Sequence, residues 1–319
     1  MRKYAVFAPP MMLVLVACNS EHSVLSPHGL QAIQIANLTW ILFYLVLAVS
    51  TIVFAAVFFA IRGSNEVRQS LSSQRFVVIG GIVFPAITLT VLLGYGLWLM
   101  REGPQAPQTT RIEIIGEQWW WRVRYHAGGS KIIERANEIR IPVGAQVEFS
   151  LKSADVIHSF WIPSLGGKVD MIPGRTNSLR LVANKPGVYR GICAEYCGGA
   201  HAFMMLDVVA VPSNEFDKWQ QEATTASVGS PGHGIFQAAG CGGCHTIDGT
   251  SANGTIGPNL TGFAARRFIG AGRLAMSEKN LAQFIVDSQK FKPGNKMPPF
   301  KVFSRDDLAA VAAYLMSLK

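Results

Sequence analysis

The sequence predicts a multi-domain protein with a two-helix transmembrane hairpin, an all-β domain and an all-α C-terminal domain. Two long apolar runs, residues 38–61 and 76–100, contain no charged residue. Short segments of alternating apolar and polar residues, separated by turn signals, occupy residues 111–211. After a linker of small residues, predicted helices flank a compact motif of Cys and His near residue 241. Membrane spans, strands and helices are therefore expected in that order along the chain.

Each apolar run is long enough to cross a membrane as a helix. A run of about 24 residues covers a bilayer core of roughly 30 Å. The connecting loop, residues 62–75, carries Arg62, Arg68 and Arg75 against a single acidic residue. Short basic loops remain in the cytoplasm. We therefore expect a hairpin in a bacterial inner (cytoplasmic) membrane, with everything after Arg101 on the outer, periplasmic side.

The N-terminus has the composition of an export signal. Arg2 and Lys3 precede a short apolar stretch that ends with Leu-Val-Ala-Cys at Cys18. This pattern predicts a lipoprotein-type signal peptide over residues 1–17, and it predicts Cys18 as the lipidated first residue of the mature chain. The alternative is an ordinary signal peptide followed by an incidental cysteine.

The middle of the chain is predicted to be a β-sandwich or barrel, because many short strands at close spacing are typical of those folds. The predicted strands are residues 112–115, 121–125, 146–151, 178–182, 187–191 and 206–211. The predicted domains are the hairpin at 18–105, the β domain at 106–222 and the helical domain at 223–319.

One short loop of the β domain concentrates soft metal ligands. Cys193, Cys197, His201 and Met204 lie within twelve residues of one another, and thiolates and thioethers select copper. A mononuclear blue-copper site uses one Cys, two His and a weak Met. The second Cys therefore predicts two thiolates that bridge two coppers. Each copper then needs an imidazole, and His158 is the best candidate for the second one.

A second motif predicts covalent attachment of a c-type haem. Cys241, Cys244 and His245 form the spacing C-x-x-C-H, in which the thiols bind the porphyrin and the imidazole binds the iron. The sixth ligand is expected to be a Met on a distant loop, and Met297, beside two prolines, is the favoured candidate. Met276 is the alternative, but a helix N-cap signal follows it, which indicates packing.

The five cysteines divide completely among these roles. Cys18 takes lipid and the other four take copper or haem, which leaves none for a structural disulfide. Charge is uneven: residues 229–319 carry ten Lys and Arg against five Asp and Glu, whereas residues 101–228 carry 14 against 13. A basic exported domain indicates an acidic protein or anionic lipid as partner and excludes nucleic acid.

Three segments together resemble a known family. Residues 155–175, residues 193–204 and the tryptophan-rich residues 116–121 are similar to the CuA domain of cytochrome c oxidase subunit II, and the resemblance covers about residues 30 to 220. The C-terminal segment resembles a class I cytochrome c. A fusion of the two corresponds to subunit II of the caa3 type, and it implies a Greek-key cupredoxin fold for the β domain.

The resemblance also implies individual roles. Met205 is the alternative thioether to Met204, and the spacing from His201 favours Met204. The Glu195 carboxylate would face a Mg²⁺ or Mn²⁺ shared with subunit I, and Trp119 would receive electrons. The six copper ligands would be Cys193 and Cys197 as bridges, His158 and Met204 on one copper, and His201 and the Glu195 carbonyl on the other.

The implied activity is electron relay within a respiratory oxidase, with no catalytic residue in this chain. Electrons would pass from haem c through CuA to the haem of subunit I, where O₂ is reduced and protons are pumped. Implied partners are subunit I, subunit III, the lipid membrane and a donor such as cytochrome c or a bc1-type or alternative complex. In many relatives a glutamate opens a proton channel near the second helix, but residues 75–79 have no carboxylate. The alternatives are the small subunit of a CuA-type nitric oxide reductase and a membrane-tethered electron carrier.

Overall fold

The computed structural model of the chain describes residues 22–101, 110–126, 132–222 and 229–319. The predicted signal peptide and Cys18 lie outside these ranges, as does most of the predicted linker. Contacts divide the chain into two units, one made of Met1–Ile33 with Gln108–Lys319 and the other of Gln34–Pro107. The first unit contains both the β domain and the C-terminal domain.

The apolar runs form two long helices, as predicted. Leu30–Arg62 and Gln74–Leu99 are long and apolar enough to cross a membrane, by their length and composition. Their side chains are apolar on all sides, which suits a lipid environment rather than a packed core. The helical segments are α1 (Leu30–Arg62), α2 (Asn65–Leu71), α3 (Gln74–Val78), a π-helical turn (Ile79–Val83) and α4 (Phe84–Leu99). The short helix α2 replaces part of the expected loop.

The β domain is a sandwich of two sheets, in agreement with the predicted cupredoxin class. Within the described residues, its ten strands form two five-stranded sheets, in the orders β3-β2-β1-β5-β8 and β4-β10-β9-β6-β7. Neighbouring strands are antiparallel except for the parallel pairs β1–β5 and β4–β10. The strands are β1 (Thr110–Glu117), β2 (Trp120–His126), β3 (Ile132–Ala136), β4 (Glu138–Pro142), β5 (Val147–Ser153), β6 (His158–Trp161), β7 (Val169–Met171), β8 (Asn177–Leu181), β9 (Gly187–Cys193) and β10 (Met205–Val211).

All six predicted strands are present, and β3, β4, β6 and β7 are additional. Alternation along the strands sends one apolar face into the sandwich, where Trp121, Phe149 and Phe160 are completely buried. Trp121 meets Phe160 edge to face, with ring centroids 5.7 Å apart. The metal-ligand loop connects β9 to β10, so a rigid sheet supports both of its ends.

The C-terminal domain is helical, as predicted. Its elements are α6 (Pro231–Ala238), α7 (Glu278–Val286), α8 (Ser288–Phe291) and α9 (Arg305–Met316), with a small hairpin of β11 (Phe268–Ile269) and β12 (Leu274–Ala275). Helices α6 and α9 cross closely at Gly232, where a Cβ atom would lie 2.0 Å from the carbonyl oxygen of Ala310. Only glycine permits that approach. A further helix, α5 (Ser213–Gln221), was not predicted and packs its Trp219 on Tyr125 of the sandwich.

Candidate metal centres

Two buried thiols define the first centre. Cys193 is the last residue of β9 and Cys197 lies in the loop that follows, and both are free and buried. Their sulfur atoms are 3.7 Å apart. Each sulfur is therefore positioned to share a metal ion with the other.

An imidazole approaches each thiol. The Nδ1 atom of His158, on β6, is 3.8 Å from the sulfur of Cys193. The Nδ1 atom of His201, on a 3-10 turn of the loop, is 3.4 Å from the sulfur of Cys197. The ligand atoms of His158, Cys193 and Cys197 all lie within 4.8 Å of one another. The structure therefore brings His158, the predicted second imidazole, to the loop from 35 residues away in the sequence.

Two further donor atoms lie close to the two sulfur atoms. The thioether sulfur of Met204 is 3.9 Å from the sulfur of Cys197, and the carbonyl oxygen of Glu195 is 3.2 Å from the sulfur of Cys193. The thioether of Met205 instead accepts from Arg190 at 3.7 Å. Two thiolates, two imidazoles, one thioether and one carbonyl form a soft donor set that suits two coppers.

Asp155 orients His158 from behind. Its carboxylate accepts a hydrogen bond from His158 Nε2 at 2.8 Å, which leaves Nδ1 free to bind a metal. Burial alone would raise the pKa of Asp155, but the Gln118 amide and the His158 ring hold it below its usual range. The ring also requires Gly116, because a Cβ atom there would lie 2.7 Å from His158 Cδ2. This role for Asp155 was not predicted from the sequence, although its position three residues before His158 is a usable signal.

The two thiols are strongly coupled. The hydrogen bond from the Cys197 thiol, assisted by His158, lowers the pKa of Cys193 to about 3. The Cys193 thiolate in turn raises the pKa of Cys197. Without a metal, the pair therefore carries one negative charge and retains one proton at neutral pH.

The Glu195 side chain points away from the sulfurs. Its carboxylate is 46% exposed and lies 3.9 Å from Lys168, which also pairs with Asp170 at 3.1 Å. The adjacent Tyr196 is 75% exposed. This side of the loop therefore presents acidic, basic and aromatic groups to its surroundings.

A cavity of about 400 Å³ defines the second centre, and Cys241, Cys244, His245 and Met297 line it. His245 donates from Nδ1 to the carbonyl of Pro258 at 2.8 Å, so Nε2 remains free to bind a metal. Met297 lines the cavity from the opposite loop. Met276 is not among the lining residues and packs against the helical core.

The cavity suits a haem. Its walls are mainly aromatic and aliphatic, as a porphyrin requires, and they include Phe236, Leu260 and Leu315. Arg266 also lines it, is 8% exposed, and has an Nε atom that is buried without a partner among the described residues. A haem propionate would satisfy that guanidinium. Burial lowers the pKa of Arg266 to about 10, so it stays charged at neutral pH.

The two centres meet at Trp119. This residue lies between β1 and β2 of the sandwich, and its side chain lines the cavity of the helical domain. Its indole nitrogen donates to the carbonyl of Cys197 at 2.9 Å. Gln118 donates to the same carbonyl at 2.7 Å. A single aromatic ring therefore connects the wall of the cavity with the metal-ligand loop.

Comparisons with known proteins agree with both centres. Residues 125–211 match the family described as cytochrome c oxidase subunit II, periplasmic domain, and residues 230–319 match cytochrome c. Cytochrome c oxidase subunit 2 of Alkalihalophilus pseudofirmus is 35% identical in an alignment of 331 positions, which covers 97% of this chain and 95% of that protein. The chain belongs to the cytochrome c oxidase subunit 2 family.

Two further family members extend the comparison. Cytochrome c oxidase subunit 2 of Bacillus sp. strain PS3 is 32% identical and covers 80% of this chain and 78% of its own length. The solved periplasmic domain of cytochrome oxidase subunit II from Bradyrhizobium japonicum is 34% identical, with a TM-score of 0.34 over 36% of this chain and 92% of that domain.

Membership in this family establishes the general function. The chain is a membrane-anchored, electron-relaying subunit of an oxidoreductase and associates with other oxidase subunits. The β domain, which matches the subunit II periplasmic domain, binds copper as CuA, and the cytochrome c domain binds haem c. The oxidase is therefore favoured over the nitric oxide reductase and the isolated electron carrier.

Proposed function

We propose that the chain receives electrons at its haem domain and passes them to its copper loop by way of Trp119, for delivery to subunit I. The observation that carries this proposal is the double contact of Trp119. Its ring lines the haem cavity, and its indole N–H is bonded to Cys197. When bound, haem c and CuA supply one-electron redox chemistry. The residues described here bind these groups, exclude water and fix the connection between them.

The proposed copper ligands combine the donor atoms of the loop with the family resemblance. Cys193 and Cys197 would bridge two coppers, His158 and Met204 would complete one of them, and His201 and the Glu195 carbonyl would complete the other. Cys241 and Cys244 attach the haem, and His245 and Met297 bind its iron. Replacing either bridging Cys by Ser should abolish the mixed-valence CuA signal in electron paramagnetic resonance, because a hard hydroxyl does not bridge soft coppers. A surviving signal would contradict the assignment.

The face around Trp119 is occupied by the chain's own haem domain. The backbone N–H of Met205 donates to Ala271 at 3.0 Å, and the side chain of Arg122 donates to Thr255 at 2.7 Å. In relatives without the fusion, the resemblance implies that a soluble cytochrome docks over this tryptophan. Here an external donor has to use another surface.

We place the docking surface for the donor on the exposed side of the haem domain. Ile256, at the cavity wall, is 58% exposed, and Cys244 is also exposed. The domain is basic, with ten Lys and Arg against five Asp and Glu after residue 228. An acidic donor would be attracted to it, and salt would weaken that attraction because exposed charges are screened over about 8 Å at physiological ionic strength.

The proposed setting is the inner membrane of a bacterium, with the soluble domains on the periplasmic side and Cys18 lipidated. Subunit I would bind the side of the loop that carries Tyr196 and Glu195, and the Glu195 carboxylate would contribute to a shared Mg²⁺ or Mn²⁺ site. The proposed complex also contains subunit III and pumps protons. Since residues 75–79 contain no carboxylate, proton uptake is assigned to the other subunits.

A truncation tests the route. An oxidase whose subunit ends at Glu222 lacks the haem domain but keeps the complete copper loop. With an acidic donor, we expect turnover to fall sharply and to lose its original salt dependence, while the CuA signal persists as a control for folding. A basic donor should be able to use the uncovered Trp119 surface. Full turnover with the acidic donor and an unchanged salt dependence would show that electrons do not enter at the haem domain.

A further inference from the structure

A buried lysine reaches across the boundary between the haem domain and the copper domain. Lys292 follows α8 and is only 4% exposed. Its Nζ atom donates to the backbone carbonyl of Trp119 and, at 3.1 Å, to the carbonyl of Gly270. Among the described residues, no carboxylate lies within ion-pair distance of it, and burial lowers the pKa of Lys292 to about 7. A buried polar group is costly unless it is hydrogen-bonded, so these two bonds are specific rather than incidental.

The turn after Lys292 lies against the same tryptophan. Gly294 has a φ of +79°, and a Cβ atom there would be 3.2 Å from the edge of the Trp119 ring. Glycine is therefore favoured at this position both by the left-handed backbone and by the closeness of the ring. The indole is in contact with the turn as well as with the copper loop.

That turn also carries the candidate sixth ligand of the haem. The side chain of Asn295 donates to the carbonyl of Lys292 at 2.6 Å and accepts from the backbone N–H of Met297 at 2.8 Å. The hydroxyl of Ser288 donates to the carbonyl of Met297 at 2.9 Å. Lys292 and Met297 are thus held in one hydrogen-bonded turn.

We propose that Lys292 is a positioning residue for electron transfer between the two domains. It binds the backbone of Trp119 to the turn that carries Met297, while Cys197 binds the indole of the same residue. Trp119 is then fixed at both ends relative to both centres. This inference rests on the proposed route through Trp119 and assigns the residue that maintains its geometry.

The test is the substitution Lys292→Met in the full chain within the oxidase complex. Methionine fills similar space but has no donor. The matched control is Lys290→Met, because Lys290 is an exposed lysine on α8, two residues before Lys292. Stopped-flow absorption would follow the reduction of haem c by an external donor and the later reduction of copper as separate steps.

We expect Lys292→Met to leave the reduction of haem c unchanged and to slow the reduction of copper by about tenfold, since a misplacement near 1 Å can cost up to about a hundredfold in rate. Lys290→Met should change neither step. Lys292→Gln, which keeps a donor, should recover part of the rate. Hydroxyl-radical footprinting should show greater oxidation of Trp119 in Lys292→Met than in the control.

Three results would overturn the inference. One is an unchanged rate of copper reduction with unchanged protection of Trp119. The second is loss of the Met-to-iron absorption band in Lys292→Met, which would assign Lys292 to the haem site instead. The third result applies if Lys292→Met does not fold. It is a rate of copper reduction in Lys292→Gln that equals the rate in Lys290→Met. If copper is reduced before haem c in the unsubstituted chain, it is the proposed route itself that fails.

Discussion

The indole nitrogen of Trp119 donates a hydrogen bond of 2.9 Å to the carbonyl oxygen of Cys197. Cys197 supplies one of the two thiols of the copper loop, so the bond joins the aromatic ring directly to a ligand residue. The same ring also lines the haem cavity.

The first prediction concerns that bond. Trp119→Phe keeps an aromatic ring and removes the N–H donor, so the reduction of copper by haem c should slow by about tenfold. The copper resonance spectrum should be unchanged, because Gln118 still donates to the Cys197 carbonyl at 2.7 Å. Trp120→Phe is the control, since Trp120 also lines the cavity but stacks under Arg122. Equal slowing in both variants would argue against a specific role for Trp119.

The second prediction concerns the sixth haem ligand. Met297→Ala should leave the haem attached, because attachment depends on Cys241 and Cys244, but it should abolish the weak far-red absorption band of a Met-to-iron bond. Met276→Ala should retain that band and lower stability, since Met276 packs against the helical core. Persistence of the band in Met297→Ala and its loss in Met276→Ala would reverse the assignment.

Much of this organisation could be predicted from the sequence because each signal is local. Absence of charge over two long runs predicts the helices, and the spacing of Cys and His predicts both centres. The strands that were missed are short or dominated by other signals. β6 begins at His158, for example, which was interpreted as a ligand rather than as part of a strand, and β7 has only three residues.

The contacts between the domains could not be predicted in the same way. In a sequence, Lys292, Arg267 and Asp207 are charged residues without visible partners, and such residues are usually solvated. Their partners are distant in the sequence, because Lys292 and Trp119 are 173 residues apart and Arg267 and Asp207 are 60 residues apart. Local patterns contain no information about that pairing.

The third prediction concerns protons at the copper loop. Copper needs both thiolates, whereas the pKa of Cys197 is raised by the Cys193 thiolate, so the metal-free pair keeps a proton at neutral pH. Copper binding at neutral pH should therefore release at least about one proton. The apparent affinity for copper should rise by about tenfold per pH unit until the pH reaches the raised pKa of Cys197. Calorimetry in buffers of different ionisation enthalpy measures the number released.

A thioether substitution provides the control for this measurement. Met204→Leu removes a ligand that carries no proton, so affinity should fall while the number of released protons stays the same. His158 adds to the release, because Cys193 and Asp155 raise its pKa although burial opposes them. Finding no proton release at neutral pH would mean that both thiols are already ionised.

The final prediction concerns an ion pair that holds the domains together. Asp207 on β10 is 4% exposed and pairs with Arg190 of its own sheet at 2.6 Å and with Arg267 of the haem domain at 3.2 Å. Arg267→Met leaves the Arg190 pair intact, so the sandwich should fold normally. Since Arg267 is 43% exposed, its loss should weaken docking by only about 1 kcal/mol, which is roughly fivefold in the docking equilibrium.

Hydrogen exchange measures this change at one amide. The backbone N–H of Met205 donates to Ala271 across the boundary, so it exchanges only when the domains separate locally. Exchange of that amide should become about fivefold faster in Arg267→Met, while amides inside β9 stay protected. Arg305→Met removes the same charge from an exposed position at the start of α9, and it should have no effect. If both variants accelerate exchange equally, the net charge of the haem domain, rather than the pair with Asp207, governs docking.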